Sequence, residues 1–186
     1  MSIIILIVIV VLLVFFLISL YNRLVKMRNN RENAFADIDV QLRQRNDLIP
    51  QLVSTVKGYA EHERGLLERI TEARSAIMNA PGINEKIQAD SQLTQALQGL
   101  RIQVEAYPDL KANQNFLHLQ TEISDIENKL AASRRYFNGA TRELNNSVES
   151  FPANLIAKNF GFTRQPMYEI PEEQRASMEQ PPQINF

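Results

Sequence analysis

The chain has 186 residues, with 20 Lys and Arg against 21 Asp and Glu, two His, and no Cys or Trp. That length suits one domain, and a net charge of −1 lacks the basic surface that nucleic-acid binding needs to displace counterions. The absence of cysteine excludes disulfides, iron–sulfur clusters, thiolate zinc sites and a cysteine nucleophile, and His62 and His118 alone argue against a transition-metal site.

Ile3 to Ile18 is an unbroken apolar run, extended by Ser19, Leu20 and Tyr21. Roughly 20 helical residues cross a hydrocarbon core of about 30 Å, and this run favours insertion by about 5–10 kcal/mol. A cleaved signal peptide would carry basic residues before the run and a small-residue site after it. Here only Met1 and Ser2 precede it, and YNRLVKMR follows. The run is apolar on every face, unlike a core helix of a small body. Residues 1–21 are therefore expected to form a transmembrane anchor, with Tyr21 in the interfacial aromatic belt.

Arg23, Lys26, Arg28 and Arg31 all come before the first acid, Glu32. The positive-inside rule then predicts a single-pass protein of the bacterial cell (inner) membrane, with the N-terminus outside and the C-terminal domain cytoplasmic. The same four residues are candidate lipid-headgroup ligands, worth about 1 kcal/mol each. The plainer alternative is a stop-transfer flank with no further role.

Residues 22–162 read as a helical body. Phe35, Ile38, Leu42, Ile49, Leu52, Val56, Tyr59, Leu66, Ile70, Ala73 and Ile77 recur at alternating spacings of three and four, which predicts one long amphipathic helix. Pro50 should kink it rather than break it, because the phase survives across the proline. Arg45 and Glu63 fill the two missing seam steps, so each either pairs with a charge on another helix or faces a subunit interface.

Asn79 to Asp90 reads as a loop around Pro81-Gly82. A second helix is expected from Ser91 to about Ala106, broken at Tyr107-Pro108-Asp109. The third carries Phe116, Leu119, Ile123, Ile126, Leu130, Phe137, Ala140, Leu144 and Phe151 at the same spacing, and Pro152 ends it. Ala153 to Asn159 adds a short turn of helix before Gly161. No β-alternation of useful length occurs. The expected fold is all-α: an N-terminal transmembrane helix followed by an antiparallel bundle of three to four long helices.

Residues 163–186 form a Pro- and Glu-rich tail, too polar to fold alone and expected to be extended. Its end, PPQINF, sets Ile184 and Phe186 two apart near a free carboxylate, as in peptides that dock by strand addition or in a groove. They are candidate interface residues beside Arg45 and Glu63.

RNNRENAFADIDVQLRQRNDLIPQLVSTVKGYAEHE from Arg28 to Glu63, YPDLKANQNFLHLQTEI from Tyr107 to Ile123, RRYFNGATRELNN and FPANLIAKNFGF together resemble the LemA family of bacterial membrane proteins. With the anchor and the aromatic-ended tail, the resemblance covers nearly the whole chain. Phe35 stands where family members often carry Trp. The resemblance implies a single-pass membrane protein with a helical bundle, and it brings no catalytic residues.

The residues themselves carry little chemistry. His62-Glu63 begins a metalloprotease-like pattern, but Leu66 stands where the second His would be. No glycine-rich phosphate loop exists, and Asn145-Asn146-Ser147 is a sequon on a predicted helix in a cytoplasmic body. No catalytic, metal or cofactor residue is assigned, and no cofactor is expected. The expected function is a non-enzymatic membrane-anchored scaffold that self-associates through its seams and presents surfaces to an unidentified protein partner, with membrane lipid as its other partner. The alternative is a sensor or adaptor that binds a ligand or lipid and regulates a membrane protease or transporter.

Overall fold

The structure, a computed structural model, describes residues 1–60 and 63–168. Among them there is no strand, and the all-α expectation with an N-terminal membrane helix holds. The helices are α1 (Ser2–Lys57), α2 (Arg64–Asn79), α3 (Ile83–Gln103), α4 (Pro108–Lys111), α5 (Gln114–Glu149) and α6 (Ala153–Asn159), with a 3₁₀ turn at Val104–Ala106. The Ile184–Phe186 motif and His62 lie outside the described residues.

α1 runs unbroken through Pro50. A proline inside a helix removes the N–H that would serve the carbonyl four residues back, here that of Asn46. Arg74 fills the gap, its Nε donating to the Asn46 carbonyl at 2.9 Å. A side chain from α2 thus replaces the bond that the proline deletes.

Two sequence expectations are corrected. The first long helix does not reach Ile77: it stops at Lys57, and α2 starts afresh at Arg64. At the break, the amides of Tyr59 and Ala60 both donate to the Val56 carbonyl at 2.9 Å, and Ala60 is buried as a plug. Glu63 therefore sits at the start of α2, not on the seam of a continuous helix. The loop from Asn79 to Asp90 shrinks to residues 80–82, because Ile83–Asp90 is helical and buries Ile87, Ala89 and Asp90. Polar content misled there: helix register is set by the few apolar residues that find a partner.

The chain packs as two units. One comprises residues 1–40 and 130–167; the other comprises residues 41–129 and, of the described tail, Tyr168.

In the first unit α1 and α5 pack antiparallel. Phe35 meets Phe137 edge-on at 5.7 Å, Arg31 meets Thr141, and Leu24 shares a cluster with Val148, so numbers rise along one helix as they fall along the other. Beyond Pro152, α6 ends on Gly161, whose φ of 74° is a conformation that favours glycine. The Phe162 amide reaches back to the Ala157 carbonyl at 2.9 Å, a Schellman closure. Phe162 then packs with Ala157, Ile156 and Leu24.

In the second unit α2 and α3 form a hairpin that buries Leu66, Leu67, Ile70, Ala73 and Ile77 against α3 residues including Leu93 and Leu100. Asn113 caps α5 by accepting the Phe116 amide at 3.0 Å. The Asn113 amide also donates to the Tyr59 hydroxyl at 2.9 Å.

Candidate functional site

The partnered polar residues fall into separate clusters, two in the second unit and one in the first. In the second unit Arg45 is fully buried, beside the buried Leu42, Asn46 and Ile49 of the same helix. Its guanidinium donates through one terminal nitrogen to Asp90 Oδ1 and through the other to Thr94 Oγ1 at 3.3 Å. Asp90 is equally buried, and its second oxygen accepts the Tyr168 hydroxyl. A carboxylate with a cation on one oxygen and a phenol on the other is well satisfied. The triad ties α1, α3 and the start of the tail together, and none of its groups faces solvent.

Glu63 is half-buried ahead of α2, and its Oε1 accepts the Tyr107 hydroxyl at 3.2 Å. Desolvation comes first and the bond to Glu63 second in raising the Tyr107 phenol above its ordinary pKa. This pairing joins the turn before α2 to the turn before α4.

In the first unit the four basic residues after the anchor part company. Arg23, Lys26 and Arg28 are exposed, with Arg28 lying over the Phe162 ring at 5.3 Å. Arg31 turns inward and is 5% exposed. Its Nε donates to Thr141 Oγ1 at 3.2 Å, a terminal nitrogen donates to the Pro166 carbonyl at 3.4 Å, and the guanidinium covers the Phe137 ring at 4.8 Å. Burial pushes its pKa down, opposed by the neighbouring charge of Glu32.

Asn145 works beside it. Its amide donates to the Gln165 carbonyl at 2.8 Å and its Oδ1 accepts the Gln165 amide at 2.8 Å, so one side chain satisfies both backbone groups of that residue. The sequon containing Asn145 thus marks a clamp on the first part of the tail. Residues 163–167 lie on the body of the first unit, which therefore extends past residue 162.

Sequence reasoning found Arg45 and Glu63 from their odd place on an apolar seam. It missed Asp90, Thr94, Tyr168, Thr141 and Asn145. Asp90 was hidden in a run read as loop, although a buried arginine calls for a carboxylate somewhere. Among the described residues no group of three or more His, Cys, Asp or Glu comes together to hold a metal.

Several concavities adjoin the second unit's helices. A small one of about 80 Å³ is lined by Leu52, Leu97, Leu100, Phe116 and Ile123, with Arg101 and Glu127 at its edge. A larger groove of about 560 Å³ is lined by Val53, Lys57, Ala60, Arg64, Leu67, Glu68, Thr71 and Glu72.

The family model of LemA matches residues 34–186, which includes the Arg45 and Glu63 clusters and the Asn145 clamp. The chain belongs to the LemA family. It is 26% identical over 159 residues to Protein LemA of Metamycoplasma hominis, covering 85% of this chain and 73% of that one. It is 25% identical over 174 residues to Magnetosome protein MamQ of Magnetospirillum gryphiswaldense, covering 80% of this chain and 64% of that one. A MamQ protein of Paramagnetospirillum magneticum is 22% identical over the same length. This LemA-family chain thus spans a little under two thirds of the MamQ relatives. With its family and its apolar first helix, it is a membrane-associated helical protein.

Proposed function

We propose that this LemA-family chain is a non-enzymatic, membrane-anchored scaffold that self-associates and holds its C-terminal segment ready for a protein partner. The carrying observation is the closed triad of Arg45, Asp90 and Tyr168. Groups that do chemistry must reach a substrate, whereas these fully buried groups bind one another and fasten the last described residue of the tail to the body. The relatives bear names of proteins and not of reactions, which supports the same reading. Its topology would be single-pass in the inner membrane with the body in the cytoplasm, and the exposed Arg23, Lys26 and Arg28 after the anchor support that orientation.

Burial of the seam argues against its use as the assembly surface. Phe35, Ile38, Leu42, Ile49, Leu52 and Val56 are all covered by the chain's own helices. The groove beside α2 is the better candidate for self-association, because Lys57 and Arg64 line it with Glu68 and Glu72. A surface carrying both signs can be complementary to its own copy across a two-fold axis. The sensor or adaptor alternative would need a ligand cavity of about 300 Å³ or more. The apolar hollow of about 80 Å³ is too small, so a ligand in the second unit would take an open groove, either the one beside Lys57 and Arg64 or that of about 490 Å³ between α2 and α3.

The mass of the intact protein in mild detergent, measured by light scattering with detergent correction, tests the proposal. A discrete multimer that dissociates when Glu68 and Glu72 are changed to Lys is the expected result. A monomer at all concentrations removes self-association, and a stoichiometric small molecule released on denaturation favours the sensor alternative.

A further inference from the structure

We propose that the segment from Phe151 to Phe160 is a second membrane-contact element, an interfacial wedge that rests in the headgroup–acyl boundary beside the anchor. The inference goes beyond the scaffold function and rests only on α1 crossing the bilayer.

The first observation is where the fold pins this segment. Ile156 and Ala157 of α6 are buried in a cluster with Leu24, and Leu20 packs against that cluster. The Tyr21 ring meets Phe160 at 5.1 Å and Phe162 at 5.9 Å. A hollow of about 460 Å³ is shared by Leu17, Ile18 and Tyr21 of the anchor and by Leu155, Ile156 and Phe160. Leu17 and Ile18 close the apolar run, so their surroundings in a membrane are acyl chains. A segment sharing a hollow with them sits at the same depth.

The second observation is what the segment shows to the outside. Its inner face is spent on α1, yet Phe151 is 79% exposed, Leu155 61% and Phe160 64%. Three large apolar side chains exposed within ten residues form a patch that water would not favour. Leu155 and Phe160 border Leu17 and Ile18 of the anchor, and Phe151 borders Leu20 and Arg23 further along α1. α6 has seven residues, too few to cross a bilayer but enough to lie in its surface with an apolar outer face. Lys158 is exposed on the same turn, where a long stem can bury in the apolar layer while its ammonium reaches the phosphates. Arg23, Lys26 and Arg28 supply further positive charge within two turns past Tyr21, which suits an anionic bilayer. Leu155 and Phe160 thus meet acyl chains, and the anchor gains a lateral foot that holds the first unit at a fixed height.

The chain contains no tryptophan, so a single one can report depth. Full-length Phe151→Trp, Phe160→Trp, Phe16→Trp and Tyr136→Trp variants would be reconstituted in phosphatidylethanolamine–phosphatidylglycerol vesicles. Their emission would be compared with vesicles whose acyl chains carry bromine near the headgroup end. Phe16→Trp reports the anchor. Tyr136→Trp reports an exposed site on α5 far from α6, since Tyr136 is 64% exposed. The expected result is that the tryptophans at 151 and 160 emit at short wavelength and lose most of their intensity to bromine, while that at 136 keeps its intensity. Emission from 151 and 160 as bright as that from 136, with 16 quenched, overturns the wedge and leaves the anchor standing. Short-wavelength emission from 151 and 160 without quenching also overturns it, because a protein and not lipid would then cover the patch. If 16 escapes as well, the membrane span itself fails and the wedge with it.

Discussion

Each unit buries an arginine from α1, and the two are satisfied differently. Arg45, in the second unit, meets a full opposite charge on Asp90, while Arg31, in the first, meets a hydroxyl, a backbone carbonyl and an aromatic face. A buried guanidinium is expensive to desolvate, and partial charges compensate it less than a carboxylate does. The two solutions fail differently. Removing one member of an ion pair strands the other charge, whereas removing a cation from neutral partners leaves only groups that are easily rehydrated. Both arginines also fasten the start of the tail: Arg31 through Pro166 and Arg45 through Asp90 to Tyr168.

The largest expected effect follows from that contrast. Asp90→Asn should destabilise the second unit by about 3–5 kcal/mol, because Arg45 remains buried and uncompensated. Thermal melting in detergent, followed by circular dichroism at the helix band, reads it. If Arg45→Met with Asp90→Leu restores most of the loss, the pair is a lock of register and not a net source of stability. A double variant no better than Asp90→Asn would contradict the ion-pair account.

Arg31→Met should cost less, about 2 kcal/mol, since it deletes hydrogen bonds and a cation–π contact without stranding a charge. A loss equal to that of Asp90→Asn would erase the distinction between the units. Asn145→Ala should cost about 1–3 kcal/mol, because two backbone groups of Gln165 lose their partner. The sharper readout is local: tryptic cleavage after Arg164 should accelerate well before the helices melt. Unchanged cleavage would show that the clamp does not hold the tail.

The smallest effect concerns Tyr107. Tyr107→Phe should lower the melting temperature only slightly, by losing one hydrogen bond to Glu63. Its phenol is raised in the fold, so the neutral form is favoured there. Its contribution is complete below the unfolded pKa of about 10 and is lost as pH rises through the higher folded value. Wild type and Tyr107→Phe should therefore converge in stability on the alkaline side. Curves that stay parallel would mean that the fold does not raise the phenol.

Local rules made much of the architecture readable. An apolar run of anchor length announces itself because every residue in it obeys one preference, and the α5 stripe from Phe116 to Leu144 fixes one helix face through its period alone. Pro152 and Gly161 marked the ends of α5 and α6 for the same reason. The breaks were harder. The phase of apolar residues happens to continue from Val56 to Leu66, so the end of α1 at Lys57 and the start of α2 at Arg64 leave no mark in periodicity except the misplaced Glu63.

Partner choice was beyond the sequence. Arg45 stood out as a charge on a seam, but whether it faced Asp90 or another subunit depended on α3 beginning at Ile83 and bringing Asp90 inward. Arg31 looked like its three basic neighbours, and only the packing of α5 and residues 163–166 turned it from the headgroup side to the interior. Asn145 and Asp90 carry no local signature, because a hydrogen bond between residues 20 or 45 positions apart is set by where helices meet. The sequence by itself determined that the chain is a membrane-anchored bundle of helices, since burial of apolar side chains is periodic and local. Which charges are buried, what satisfies them and where α6 lies against the anchor were decided by tertiary structure alone, since those contacts join residues that only the folded chain brings together.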